Sequence, residues 1–187
     1  MRIVIAAVLG GLVMFFWGFT AHMVLPIGEM GMKEASNEDV VIAAMRDGLP
    51  GEGVYMVPGL SPAQMEDPAA VAAYSAKAKA NPNAFIVYQP QGEDGMDMGE
   101  ELGVEFATNV VSAALLAWVL SLGAFGYQKR VFISAAMGLF AWTSLSLPYW
   151  NWYRFPLDFT LGALLMQVIG WALAGAVMAW WLGRKGG

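Results

Sequence analysis

Apolar residues run almost unbroken through four stretches of the chain: Ile3 to Val24, Phe106 to Phe125, Val131 to Pro148 and Phe159 to Leu182. A helix rises about 1.5 Å per residue and the hydrocarbon core of a bilayer is about 30 Å thick, so roughly 20 apolar residues are enough to cross it. Each stretch therefore predicts a transmembrane helix. The first holds only Thr20 and His22 as clearly polar side chains, and the third, the shortest, holds only Ser and Thr. An amino-terminal apolar run of this kind can also be a cleaved signal peptide. This one is longer than the usual 7 to 15 residues, continues through Phe15, Phe16, Trp17 and Phe19, and has no Ala-x-Ala site after it, so an uncleaved first span is expected.

Between the first and second stretches the periodicity changes. Ser36-Asn37-Glu38-Asp39 has the form of a capping box, a short helix with Val40, Val41, Ala44 and Met45 on one face should follow it, and Asp47-Gly48-Leu49-Pro50 should end it, Gly supplying a left-handed cap. Val54-Tyr55-Met56-Val57 reads as a strand closed by Pro58-Gly59. Asp67-Pro68 opens a second, alanine-rich helix that runs to Ala80 and stops at Asn81-Pro82-Asn83. Ala84 to Tyr88 is a second strand, and Gly92 to Gly103 is an acidic, Gly-rich linker. The fold expected is a membrane all-α bundle of four transmembrane helices with a small exported α/β insert between helices 1 and 2. Its divisions are 1–24 for the first helix, 25–103 for the insert and 104–187 for helices 2 to 4.

Charge sets the orientation. Arg2 precedes the first span, Lys129 and Arg130 lie in the turn Tyr127-Gln128-Lys129-Arg130 between the second and third, and Arg184 and Lys185 follow the fourth. Lys and Arg near span ends are retained in the cytoplasm, so both termini are expected inside, with Leu25 to Glu105 and Tyr149 to Asp158 outside. The region Leu25 to Glu105 holds 14 carboxylates against four cations, a net charge of −10. Such a surface repels nucleic acid and anionic headgroups and is either plain solvated surface or a match for a cationic partner. The chain has no cysteine, so no disulfide staples the insert.

Small residues recur at four-residue spacing: Ala6 with Gly10, Ala7 with Gly11, Ala113 with Ala117 and Ser121, Ser134 with Gly138, and Gly170 with Ala174. They allow close helix approach, either inside one bundle or in self-association.

Candidate chemistry is sparse. The outer loop from Tyr149 to Asp158 is dense in aromatic residues, and Trp150, Trp152, Tyr153, Arg154 and Asp158 are candidates for partner or lipid contact, with Arg154 the anion-facing group. The alternative is an aromatic belt in which Arg154 and Asp158 pair at i, i+4 to fix the start of the last span. Glu105 with Asn109 opens the second span, and Gln167 is the strongly polar side chain deep in the fourth. Met30 and Met32, with Met96 and Met98, repeat a Met-x-Met pattern at the two ends of the insert, near His22. Thioether sulfur suits Cu(I), while methionine is also an ordinary packing residue. One histidine and no cysteine exclude a His/Cys zinc site. No nucleophile elbow, P-loop or dinucleotide fingerprint is present, and no chain of ionisable groups crosses the bilayer.

Asn151-Trp152-Tyr153-x-Phe155-Pro156 before the last span, together with one large exported loop after the first, resembles uncharacterised bacterial inner-membrane proteins. The resemblance lies in the layout and implies no activity. The expected role is a non-catalytic accessory, assembly or scaffolding subunit of a larger inner-membrane complex, with no resident cofactor. An exported Cu(I)-handling protein and a lipid- or quinone-binding protein are the alternatives.

Overall fold

A computed structural model describes residues 1–184. The Lys185 expected among the retaining cations lies outside the described residues. The chain is mostly helical, at 70%, with a two-stranded sheet between helices. It divides into two compact units, one formed by Met1–Met32 with Met96–Gly187 and the other by Lys33–Gly95.

The larger unit is a helical bundle. Its helix α1 spans Arg2–Met23. Four helices in the described residues are long and apolar enough to cross a membrane: α1, Gly99–Ser121, the continuous Tyr127–Tyr153, and Leu157–Gly183. We name the second α4, the Tyr127–Ala141 and Leu147–Tyr153 parts of the third α5 and α6, and the last α7. Helix α1 packs along both α4 and α7, α7 packs along α5, and α4 and α5 meet over only a few residues. The order across the bundle is thus α4, α1, α7, α5. A buried cluster of Ala6, Ala113, Leu116, Ala117, Leu120, Ala174 and Met178 joins the start of α1 to the ends of α4 and α7.

The small residues make these contacts possible. A Cβ on Gly11 would stand 2.6 Å from Val110 Cγ2 and 2.8 Å from its Cα, so α1 and α4 touch backbone to side chain along this line. A Cβ on Gly138 would run into the Gln167 carbonyl oxygen, so α5 and α7 approach through backbone. All the small residues of the four-residue stripes except Ser121 are buried inside the one chain. Dispersion between closely approached helices, rather than bulky side chains, holds such a bundle together.

Three expectations about its ends are corrected. The turn between α4 and α5 is 122–126, and Tyr127 to Arg130 are already helical. Gly123 and Gly126 break the chain there, and Lys129 Nζ lies 4.9 Å over the Phe125 ring. The third span does not stop at Pro148 but runs to Tyr153, because a π turn at Trp142–Ser146 precedes the proline. Proline has no N–H and its ring clashes with the carbonyl four residues back, and the wider turn relieves that clash. The Leu147 N–H bonds Trp142 O, while the Thr143 and Ser144 hydroxyls donate to Phe140 O at 3.0 and 2.7 Å. Helix α4 begins at Gly99, inside the expected linker.

The smaller unit has the expected α-β-α-β order, with α2 at Glu38–Gly48, β1 at Gly53–Val57, α3 at Pro68–Ala80 and β2 at Ala84–Tyr88. The strands are antiparallel, with Val54 opposite Val87, Tyr55 opposite Ile86 and Met56 opposite Phe85. Asp67 Oδ1 caps α3 by accepting from Ala69 N at 2.9 Å, as its sequence implies. Helix α2 departs from expectation at both ends. Its cap is Asn37, which accepts from Val40 N at 3.3 Å, and not Ser36. Gly48 is its last helical residue, and extended Leu49, held out of the helix by the following Pro50, ends it. A 3-10 turn at Pro62–Glu66, with a Ser61/Gln64 capping box, has no counterpart in the expected elements. In this unit Pro58 alone is buried, while Val40, Val54 and Val87 are 62%, 62% and 75% exposed.

Candidate functional site

The residues singled out by sequence fall into three places within the bundle unit. At the end of α1, His22 Nδ1 is 3.0 Å from Glu29 Oε1, which closes the turn that follows the helix. Gly28 lies directly under the His22 ring, and Gly31, at φ +80, brings the chain against the backbone of Phe159 in α7. A side chain at Gly31 would meet both a left-handed backbone penalty and the Asp158–Phe159 backbone. Met30 is half-buried against Gly162. Met32, Met96 and Met98 are exposed, Met98 at the amino end of α4. No group of three or more His, Asp and Glu side chains that could hold a metal occurs among the described residues.

The aromatic segment is helical as far as Tyr153 and again from Leu157, with Arg154 to Pro156 joining the two helices. Its rings form a run in which Tyr149 stands 5.5 Å from both Tyr153 and Phe155, and Phe155 stands 5.2 Å from Phe159. Trp150 and Trp152 project outward, exposed. Arg154 adopts a left-handed conformation, φ 59 and ψ 35, as the cap of α6. The i, i+4 pair expected between Arg154 and Asp158 does not form, because α7 begins only at Leu157 and leaves Arg154 outside it. Asp158 Oδ1 instead accepts from Phe159 N at 3.0 Å.

The third place is a groove of about 580 Å³ between α4 and α5, floored by α1 and α7. It exists because α4 and α5 are the outer helices of the four and barely touch. Its volume falls within the usual range for small-molecule sites, about 300 to 1,000 Å³. Glu105, Asn109 and Ser112 line it from α4, at positions one and two turns apart on one face. Asn109 Nδ2 donates to Glu105 Oε1 at 2.8 Å, and Asn109 is nearly buried. From α7, Gln167 Oε1 accepts the Trp171 indole N–H at 3.0 Å. Trp17 of α1 donates its indole N–H to Met166 O at 3.0 Å and rests on Gly170. Glu105 is the one ionisable side chain among the described lining residues, and no cation lines the groove.

Sequence reasoning had Glu105, Asn109 and Gln167 as polar residues near or inside spans, but not their meeting on one groove. The signal within α4 was legible as the i, i+4 spacing of Glu105 and Asn109. That Gln167 faces the same opening depends on the order of helices, which the chain's hydropathy does not encode. No known protein family matches the chain, and no curated protein or solved structure matches it significantly.

Proposed function

We propose that the chain is a multi-pass protein of the bacterial inner membrane, with cytoplasmic termini and an exported insert, that acts as a non-catalytic accessory, assembly or scaffolding subunit of a larger complex. The location of its cations supports the orientation. Arg2 donates to the carbonyls of Leu182 and Arg184, Trp181 Nε1 donates to Arg2 O at 3.1 Å, and Arg130 Nη1 lies 3.8 Å from the Cβ position of Gly183. Three of the retaining cations thus gather at one end of the bundle, where the sequence supplies no carboxylate side chain.

The observation that carries the accessory role is the exposed apolar surface of the insert. A folded unit of this kind, with Val40, Val41, Ile42, Val54 and Val87 all exposed and only Pro58 buried, leaves most of its large apolar side chains uncovered. Surfaces of that composition mark contact sites. Its acidic balance favours a partner with a basic face.

Gentle detergent extraction followed by native mass measurement tests the role. A stoichiometric protein partner is expected with the wild-type chain and should be lost with Val54→Lys and Val41→Glu. A monomer with no partner, or a partner indifferent to both substitutions, overturns it. Because the chain has no cysteine, Ala80→Cys and Ala124→Cys test the orientation by impermeant labelling, with only the first expected to react from outside. Labelling of both from one side overturns the topology.

A further inference from the structure

We infer that the groove between α4 and α5 is a binding site for a neutral, quinone-type lipid, with Gln167 the donor to a ring carbonyl and the surrounding aromatic rings its platform. The inference rests on α1, α4, α5 and α7 crossing a bilayer, and it is independent of the accessory role.

The Gln167 carboxamide is fixed on one side only. An indole N–H can only donate, so the Trp171 bond fixes Oε1 as the acceptor and turns the Gln167 NH₂ group away from it. That NH₂ group has no acceptor among the described residues, and Gln167 sits ten residues into the 27-residue α7, near the middle of the span. An unsatisfied amide donor at that depth costs several kcal/mol in hydrocarbon, so a ligand that supplies an acceptor is strongly favoured over an acyl chain that cannot. The Trp171 contact also holds the amide in place and removes one freedom a ligand would otherwise have to freeze.

The remaining walls narrow the class. Trp17, Trp118, Phe140 and Trp171 all line the groove, and the N–H groups of Trp17 and Trp171 are already bonded to the protein. Those two indoles therefore offer faces rather than donors, which suits a flat ring. A phospholipid headgroup fits poorly, since its phosphate would find no cation and would face the Glu105 carboxylate. A quinone carries carbonyl acceptors, no charge, a flat ring and an apolar tail, and each has a counterpart here. Glu105, held by Asn109, lines the groove from α4, across from Gln167 of α7, and can accept from a hydroxyl of the reduced form.

The test uses the full chain in nanodiscs of synthetic phosphatidylcholine, titrated with decylubiquinone and read by tryptophan fluorescence. Saturable quenching is expected, weakened about tenfold by Gln167→Leu, the scale of one hydrogen bond lost in a low-dielectric site. Gly18 lines the groove, and a Cβ there meets nothing within 4 Å, so Gly18→Leu should push an apolar side chain into the groove and weaken the saturable quenching. Circular dichroism monitors folding, and if Gln167→Leu misfolds, Gly18→Leu decides alone. Quenching that does not saturate, that is equal in Gly18→Leu and wild type, or that is displaced by added dioleoylphosphatidylglycerol overturns the assignment. Failure of the bilayer reading would appear in the cysteine labelling, and loss of a protein partner in native mass measurement, so neither is confused with this result.

Discussion

In the bundle, the buried side chains are mostly small: Ala6, Ala7, Gly10 and Gly11 in α1, Ala113 and Ala117 in α4, Ser134 and Gly138 in α5, Gly170, Ala174 and Gly175 in α7. In the insert, the large apolar side chains of α2, β1 and β2 are mostly exposed, and neither α2 nor α3 buries a residue. The contrast follows from the solvent each unit is read to occupy. Where lipid surrounds helices, bulky residues gain little by turning inward, and association rests on backbones that come close enough for dispersion to count. Where water surrounds a small sheet, apolar residues gain by being covered, and a two-stranded sheet cannot cover its own. The bundle therefore buries most of its small-residue stripes within the chain, and the insert leaves most of its large apolar side chains uncovered.

The contrast breaks most sharply at Gly138. Gly138→Ala places a Cβ against the Gln167 carbonyl and the Gln167 backbone carbon, and α5 must move away from α7. Overpacking of this kind costs about 1 to 3 kcal/mol, and the unfolding midpoint in detergent should fall accordingly. An unchanged midpoint would mean that the α5–α7 approach is looser than described.

Next in size is Asn37→Ala, which removes the side-chain acceptor at the start of α2. The expected loss is about 1 kcal/mol, confined to that helix. Amide exchange should speed up at Val40 and its neighbours while rates in α1 and α7 stay unchanged. Acceleration throughout the chain would contradict the division into two units.

Gly103→Ala should act in the opposite direction from Gly138→Ala. Gly103 lies in α4 with nothing near its Cβ position, so the substitution gains helix propensity of about 0.5 to 1 kcal/mol without a clash. A loss at Gly103 would reveal a neighbour that the chain by itself does not supply.

The smallest effect belongs to the insert's apolar surface. Val87→Ser should change the stability of the isolated chain by only about 0.5 kcal/mol, because Val87 is 75% exposed and stands opposite Val54, itself exposed, in the sheet. The same substitution should weaken attachment to a partner. A large destabilisation of the isolated chain would show that the insert has an interior after all.

How much of this was legible in the sequence depends on whether the governing contact is local. The four long helices were legible because length and apolarity act residue by residue, and β1, β2 and α3 because strand composition and the Asp67-Pro68 cap act within a few positions. The cap of α2 falls one residue later than expected, since Ser36 and Asn37 both suit that role and the backbone selects Asn37. The third span runs past the end expected at Pro148 because the normal effect of proline on a helix is averted by a π turn that has no sequence signature of its own. At the candidate site, Glu105 and Asn109 one turn apart on α4 followed from helical spacing, while Ser112 on the same face is not singled out by the sequence. The opposing Gln167 and Trp171 did not follow, since their position depends on α4 and α5 being the two helices that stay apart. The Arg154 and Asp158 pair failed for a related reason: i, i+4 spacing places two residues together only if one helix contains both.

The π turn at Trp142–Ser146 has one more effect, on phase. A single wide turn adds about one residue to the helical repeat, which rotates everything after it by about 100° relative to an unbroken helix. Tyr127–Ala141 and Leu147–Tyr153 are therefore one rod read in two frames, so positions seven apart across the turn do not share a face. Trp142 Nε1 donates to Thr160 O at 2.7 Å, which fastens the junction of the frames to α7. Deleting one residue from within the turn would restore a single frame and swing Trp150 and Trp152 around the rod together, while bringing back the Pro148 clash that the wide turn relieves.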